Sequence, residues 1–189
     1  MLIRGDTMRQ GKNVAEEIKN EPYRRYLYDQ SSKSSGLCFF ISHKNEDVDA
    51  ALEIGNHIMN DFGYNIYLDL FDEALQVADQ NNDVETIVKS IHNGLKYSTH
   101  LLCVVTEKSK ESWWIPYEIG FAQANNKKTA SLKLKASEYL PTFLRANGSD
   151  VFYTVKELDA YLTKQSIWEP VSPETEYIYF QYDSASSDI

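Results

Sequence analysis

Cysteine is scarce in this sequence, which has 189 residues and two thiols, Cys38 and Cys103. Each thiol lies inside an apolar run, "GLCFFIS" or "HLLCVVT", so we predict that both are buried strand residues. No CxxC pair and no regular Cys/His spacing is present, which argues against a disulfide framework and against a zinc site. We therefore predict no metal and a chain that resides in a reducing compartment.

Long apolar runs and an excess of positive charge are also absent. No apolar segment approaches the ~18 residues that a membrane-spanning helix needs, and "MLIRGDTMRQGK" has no apolar signal core. Asp and Glu total 28 against 19 Lys and Arg, a formal net charge of −9. That charge disfavours nucleic acids and anionic membranes as partners. The expected location is the cytoplasm.

Common catalytic and nucleotide-binding motifs are missing as well. The sequence has no GxGxxG or Walker A loop, and no GxSxG motif to carry a nucleophilic serine. Ser42 and His43 are adjacent in the chain, so they point apart and do not form a nucleophile–base pair. The other histidines are scattered, and we predict that His57 and His92 lie on helix flanks rather than bind a metal.

The sequence does contain a regular alternation of strand and helix patterns. The strand patterns are apolar throughout, as expected for parallel strands that are covered on both faces. The alternation predicts βαβ units and an α/β fold with a five-stranded parallel sheet between two helical layers. We predict an N-terminal helical extension with a linker (1–35), one α/β domain (36–164) and a C-terminal tail (165–189). The predicted strands are 37–42, 64–70, 100–106, 127–134 and 151–155.

Ligands of such sheets bind beyond the carboxyl ends of the strands, near the point where the strand order reverses. Ser42 and His43 follow the first predicted strand, Asp69 ends the second, and residues 106–118 follow the third. We expect these residues to lie at one edge of the sheet.

The stretch "ESWWIPYEIGFAQANN" (111–126) predicts a helix with one acid in apolar company. Ser112 is a suitable N-cap, and Pro116 falls in the first turn, where a missing N–H is tolerated. Glu118 follows Trp114 by one turn and shares its face. Glu118 either complements the positive end of the helix or works as a carboxylate that stabilises positive charge on a sugar during glycosidic bond cleavage. The residues predicted to face the sheet are Ile115, Ile119 and Ala122.

Three motifs, in this order, resemble the bacterial form of the TIR domain family over roughly residues 37–164. They are "FISHKNED" after the first strand, "YLD" at the end of the second, and "SKESWWIPYE" after the third. In the last motif the family has a serine, a tryptophan and an acid at W-x-x-x-E spacing. The resemblance implies a flavodoxin-like three-layer fold. It also implies cleavage of NAD+ at the nicotinamide–ribose bond, with NAD+ as substrate and no cofactor.

The resemblance also assigns residues by position. It implies that Glu118 is the essential catalytic acid. The loop after the second strand departs from the family, because Ala78-Asp79 stands where a Gly-Asp often stands and extra polar residues follow. Phe71 and Leu75 in this loop are therefore candidates for pocket walls only. The residues expected to contact substrate are Ser42, His43, Asp69, Phe71, Leu75, Trp114 and Tyr117.

Small bacterial TIR proteins without a receptor domain resemble the TIR components of Thoeris antiphage defence. This setting implies a cyclic ADP-ribose-type product, self-association through TIR contacts, and a separate effector that the product activates. Two alternatives stay open. One is a non-catalytic TIR interaction module, and the other is an enzyme that acts on N-glycosidic bonds in the manner of nucleoside deoxyribosyltransferases.

Overall fold

The core of the molecule is a parallel sheet. The computed structural model describes residues 10–16, 36–68, 84–134, 140–142, 144 and 149–167. The strands of this part of the chain are β1 (Cys38–Ser42), β2 (Asn65–Tyr67), β3 (His100–Val105), β4 (Lys128–Lys133) and β5 (Asp150–Phe152). Their order is β2-β1-β3-β4-β5, and every pair of neighbours is parallel. The predicted flavodoxin-like architecture with a five-stranded parallel sheet is thus confirmed.

Four α-helices whose two ends lie within the described residues cover the two faces of the sheet. They are α1 (Val48–Phe62), α2 (Val84–Tyr97), α3 (Trp114–Ala124) and α4 (Val155–Ile167), with short 3-10 helices at Asn45–Asp47 and Glu107–Glu111. Side chains alternate along each strand, so each face receives every second residue. On β1, Cys38 and Phe40 pack with α2 and α3, whereas Phe39 and Ile41 pack with α1 and α4. The helices are therefore split between the faces, two on each.

Glycine sets the end of α1 and the depth at which α2 packs. Gly63 follows α1 with a φ of 67°, a left-handed conformation that glycine adopts without strain. Gly94 of α2 lies against the rings of Phe40 and Tyr67, where an added Cβ would stand 2.5 Å from the nearest ring carbon. A helix with any other residue at this position could not approach the sheet so closely.

The described part of the N-terminal region runs along the outer edge of β2. The Gly11 amide donates to the Met59 carbonyl oxygen at 2.9 Å, and Asn13 forms a parallel bridge with Ile66. Gly11 permits this approach, because a Cβ there would lie 1.8 Å from the carbonyl oxygen of Tyr64. Residues 10–16 thus pack directly on the domain, a contact that the sequence pattern did not indicate.

The strand and helix predictions agree with the structure apart from a few boundaries. β2 is shorter than predicted, and β5 begins and ends earlier. Residues 165–167 of the predicted C-terminal tail belong to α4, residues 168–189 lie outside the described residues, and the domain boundaries stay a prediction. None of the described helices combines the length and the apolar character needed to cross a membrane.

Candidate active site

Ser42 and Glu118 meet at the edge of the sheet where β1 and β3 end. Ser42 is the last residue of β1 and follows Cys38 and Phe40 at alternate positions, so its side chain lies on the face covered by α3. Its hydroxyl donates to Glu118 Oε2 at 2.5 Å. The strand order reverses between β1 and β3, which is where ligands of doubly wound sheets bind. The structure therefore brings together two of the residues singled out in the sequence.

Glu118 lies in the stripe of α3 that faces the sheet. The buried residues of this helix recur at i, i+3, i+4 and i+7, and Glu118 occupies the second of these positions, which is normally apolar. Burial raises its pKa from 4.5 to about 7, although the hydrogen bond from Ser42 lowers it in part. The carboxyl group is thus poised to titrate near neutral pH. The four buried residues are Ile115, Glu118, Ile119 and Ala122.

Ser112 and Pro116 lie at the start of α3, as predicted. The Ser112 hydroxyl accepts a hydrogen bond from the Ile115 amide at 3.2 Å, as an N-cap residue does, although the helix begins at Trp114. Pro116 is the third helical residue, where an amide has no partner within the helix. The Ser112 cap and Pro116 together determine where α3 begins, and therefore where Glu118 lies one turn later.

His43 follows Ser42, and its ring is hydrogen-bonded to the backbone two residues earlier in the chain. Its Nδ1–H donates to the Ile41 carbonyl oxygen at 3.1 Å. Burial lowers the pKa of His43, with smaller opposing effects from the Ile41 carbonyl and from Asp47. The ring is therefore neutral at pH 7, and its Nε2 carries a lone pair that can accept a hydrogen bond.

The loops after β1 and β3 contact each other beside Ser42 and Glu118. Thr106 Oγ1 donates to Asp47 Oδ2 at 2.5 Å, and Lys108 Nζ lies 3.6 Å from Asp47 Oδ1. Lys108 also donates to the Glu46 carbonyl oxygen at 3.2 Å. The contacts hold together the two loops that flank the end of the sheet at Ser42 and Glu118.

Aromatic side chains line the outer side of α3. Trp114 is half-buried and meets Tyr117 edge to face, with ring centroids 6.1 Å apart. The Tyr117 hydroxyl is hydrogen-bonded to His92 Nε2 of α2 at 2.7 Å, and both rings stack with Phe121. Trp113, in contrast, is 91% exposed and does not belong to the core. The contacts of Tyr117 thus lie between α2 and α3, and its predicted contact with substrate stays a prediction.

Sequence reasoning and structure overlap only partly at this site. Asp69, Phe71 and Leu75 lie outside the described residues, so their predicted roles stay predictions. Cys103 is a buried residue of β3, as predicted, and it is paired in register with Ser42 of β1. The pairing depends on strand register, for which the sequence carries no direct signal. Within the described ranges, no group of three or more His, Cys, Asp or Glu side chains is placed to hold a metal ion.

Comparison with known proteins agrees with this geometry. The family model described as "TIR domain" matches residues 39–165. A protein of Bacillus cereus (strain MSX-D12) described as "Probable 3' cyclic ADP-D-ribose synthase ThsB'" is 25% identical over 173 residues, which cover 89% of this chain and 83% of that protein. The family match spans well over half of the sequence and includes all five strands apart from the first residue of β1. The chain therefore belongs to the TIR domain family.

Proposed function

We propose that this protein cleaves the bond between nicotinamide and ribose in NAD+ and that Glu118 is its catalytic carboxylate. The observation that carries the proposal is the buried Glu118 held by Ser42 where β1 and β3 end. Family membership and the name of the Bacillus cereus relative support the same reaction class.

The chemistry suits a single carboxylate. The nicotinamide ring carries a positive charge in NAD+ and leaves as a neutral molecule with the electron pair of the C–N bond, so it needs no acid to protonate it. Positive charge then develops on the ribose, and an ionised carboxylate nearby stabilises it. An aromatic neighbour such as Trp114 offers a flat face for a ring of the substrate.

We further propose that the product is a cyclic ADP-ribose isomer. After nicotinamide leaves, C1′ of the ribose is attacked by water or by a nucleophile of the same molecule. Water or a hydroxyl group loses its proton as the new bond forms, whereas an adenine ring nitrogen attacks with its lone pair. The second route closes a ring, and the relative from Bacillus cereus bears the name of such a synthase. In this proposal the protein self-associates through TIR contacts, and the nucleotide product activates a separate effector in a Thoeris-like antiphage system.

Mass spectrometry of the products tests the proposal. Wild type at high protein concentration, which favours self-association, is incubated with NAD+ beside Glu118→Ala. We expect nicotinamide and a species with the mass of cyclic ADP-ribose from wild type, and neither from Glu118→Ala. Linear ADP-ribose as the sole product would support the proposed NAD+ cleavage but would contradict the proposed cyclisation.

Two other outcomes favour the alternatives. Self-association measured by light scattering, with no NAD+ turnover, would favour a non-catalytic interaction module. Base exchange on deoxynucleosides, with NAD+ left intact, would favour an enzyme of the nucleoside deoxyribosyltransferase kind.

A further inference from the structure

Asp47 directly precedes α1 but does not cap it. An aspartate at this position usually accepts a hydrogen bond from an amide of the first helical turn, whereas no amide of the described helix α1 donates to the Asp47 side chain. Its carboxylate contacts the loop after β3 instead. Oδ2 accepts from Thr106 Oγ1 at 2.5 Å, and Oδ1 lies 3.6 Å from Lys108 Nζ. The side chain thus binds a residue 59 positions away rather than its own helix.

The Thr106 hydroxyl is held in one orientation. It donates its only proton to Asp47 and accepts a hydrogen bond from the Lys108 amide at 3.1 Å. The Thr106 amide donates to Ser109 Oγ at 2.9 Å, so Thr106 and Ser109 form a capping box at the start of the 3-10 helix Glu107–Glu111. The contact with Asp47 therefore fixes the start of this 3-10 helix against the loop after β1.

Hydrogen bonds continue from the 3-10 helix into α3. The Ser112 amide donates to the Ser109 carbonyl oxygen at 3.2 Å, and the Ser112 hydroxyl accepts from the Ile115 amide at 3.2 Å. Ile115 lies in the first turn of α3, and Glu118 follows within the next turn. The position of Glu118 therefore depends on where the 3-10 helix begins.

Two contacts join the same pair of segments. The first segment runs from Ser42 at the end of β1 to Asp47, and the second runs from Thr106 after β3 to Glu118. One contact is the hydrogen bond from Ser42 to Glu118, and the other is the hydrogen bond from Thr106 to Asp47. The Asp47 side chain is only 10% exposed, so bulk water does not readily replace its contact when that contact is lost.

We propose that Asp47 is a positioning residue for Glu118, because its hydrogen bond with Thr106, the loop contact, holds the segment that leads into α3 against the segment that begins at Ser42. Catalysis is sensitive to such placement, since a shift of about 1 Å costs roughly 100-fold in rate. The effect of the loop contact on NAD+ cleavage rests on the proposed function, whereas its effect on the two segments does not depend on turnover.

Single substitutions separate the loop contact from other effects. Asp47→Ala removes the acceptor, while Asp47→Asn keeps an oxygen that accepts from Thr106. Thr106→Val keeps the shape of the side chain but removes the hydroxyl, and Thr106→Ser retains it. Asp49→Ala removes an exposed acid from the first turn of α1 and controls for loss of charge. Gly94→Ala disturbs the packing of α2 on the sheet rather than these loops and controls for loss of stability.

Amide hydrogen exchange, followed by mass spectrometry of peptides, tests the loop contact without any need for turnover. We expect Asp47→Ala to accelerate exchange in residues 106–112 by about tenfold relative to peptides from β3 and β4, because the loss of one buried hydrogen bond to a charged group favours local opening by about this factor. Asp47→Asn and Asp49→Ala should exchange as wild type does. Exchange in 106–112 that is unchanged in Asp47→Ala, or accelerated equally in every peptide, would overturn the loop contact.

Steady-state cleavage of NAD+ tests the positioning role, at a temperature where circular dichroism shows each variant to be folded. We expect Asp47→Ala to lower kcat by roughly 10- to 100-fold with KM within about twofold of wild type, because a displaced carboxylate stabilises the transition state less. Asp47→Asn and Thr106→Ser should restore most of kcat, and Asp49→Ala and Gly94→Ala should keep the wild-type value. A wild-type kcat in Asp47→Ala, or a change in KM alone, would overturn the positioning role.

The double variant Asp47→Ala/Thr106→Val shows whether the two side chains act together. If they form one contact, its kcat equals that of Thr106→Val, and losses that multiply would contradict the proposal. Should Asp47→Ala fail to fold, Thr106→Val and Thr106→Ser carry the same comparison. Faster exchange in 106–112 and a lower kcat with valine than with serine support the proposal, and equal values contradict it.

Failure of the loop contact and failure of the proposed function are separable. An absence of NAD+ cleavage in all proteins, wild type included, would contradict the proposed function. The exchange measurement would then still decide whether Asp47 holds the two segments together.

Discussion

At the residue scale, Glu118 destabilises the fold that contains it. Its pKa is 4.5 in an unfolded chain and about 7 in the folded protein, chiefly because of burial. Between these two values the folded state binds more protons than the unfolded state, so stability falls as pH rises through this window. Below pH 4.5 the group is neutral in both states and has no such effect. A residue kept at this cost in stability is typical of a functional site.

Glu118→Gln should therefore stabilise the protein in a pH-dependent way. At pH 8 we expect its free energy of unfolding to exceed that of wild type by about 2–3 kcal/mol, because the neutral amide avoids burial of a charge. The difference should shrink as pH falls from about 7 to 4.5. Urea denaturation at pH 8, 6 and 4 measures it, and a difference that is constant with pH would contradict the account.

The sequence predicted some of these residues and could not predict others. Glu118 could be singled out from the sequence because helical spacing and the W-x-x-x-E motif involve only a few neighbouring residues. Its contact with Ser42 joins residues 76 positions apart. The contact depends on the register of β1 and β3 and on the depth of α3, neither of which a local pattern encodes. The burial of Cys103 in a strand was predicted and is confirmed, but its register with Ser42 was not predictable for the same reason.

At the element scale, two helix glycines lie in opposite surroundings. Gly94 of α2 contacts the rings of Phe40 and Tyr67, whereas an added Cβ at Gly120 of α3 meets nothing within 4 Å. Both positions lie inside α-helices, where alanine is intrinsically favoured by about 0.5–1 kcal/mol. The two substitutions therefore share the helix preference and differ only in packing.

Gly94→Ala should destabilise the protein by about 1–3 kcal/mol, because the two rings must move to make room for the methyl group. Gly120→Ala should stabilise it by about 0.5–1 kcal/mol. Thermal unfolding of both variants beside wild type measures the pair. Equal changes in Tm would show that packing depth at α2 does not distinguish them.

His57 of α1 connects this helix to α4. Its Nδ1 lies 2.5 Å from Asp61 of the same helix, and its Nε2 lies 2.6 Å from Asp159 of α4. Burial alone would lower the pKa of His57, but hydrogen bonds with Asp159 and Asp61 outweigh it, and the pKa is raised. Stability from this contact is fully present below pH 6.5 and is lost as pH rises through the folded pKa.

Asp159→Asn should consequently destabilise the protein more at pH 5.5 than at pH 9. We expect a loss of about 0.5–1 kcal/mol at the lower pH, since the groups are partly exposed and screened by solvent. Guanidinium denaturation at both pH values measures the change, with the exposed Glu53→Gln of α1 as a control for loss of an acid. A loss that is larger at pH 9 would contradict the assignment.

At the scale of the whole molecule, the alternation of strands and helices was enough to predict the parallel sheet and its covered faces. The packing of residues 10–16 on β2 was not predictable, because "GKNVAEE" is polar and lacks strand periodicity. The Asn13 side chain accounts for it. Asn13 Nδ2 donates to the Leu68 carbonyl oxygen at 2.8 Å, and the Leu68 amide donates to Asn13 Oδ1 at 3.1 Å, as a neighbouring strand would.

Asn13→Ala should cost about 2 kcal/mol of stability, because it leaves the buried amide and carbonyl of Leu68 without these partners. Gln10→Ala is the matched control. Its side chain also forms a hydrogen bond, to Asn60 at 3.1 Å, but the contact is exposed, so a loss below about 0.5 kcal/mol is expected. Urea denaturation compares the two variants, and equal losses would contradict an anchoring role for Asn13.

The central claim is that the buried carboxylate of Glu118 drives NAD+ cleavage. Nicotinamide release from NAD+ tests it most directly, measured for wild type, Glu118→Gln and the exposed control Glu53→Gln at equal concentration. We expect wild type and Glu53→Gln to release nicotinamide at the same rate and Glu118→Gln to be slower by about 100-fold or more while remaining folded. Release by Glu118→Gln at the wild-type rate would contradict the claim.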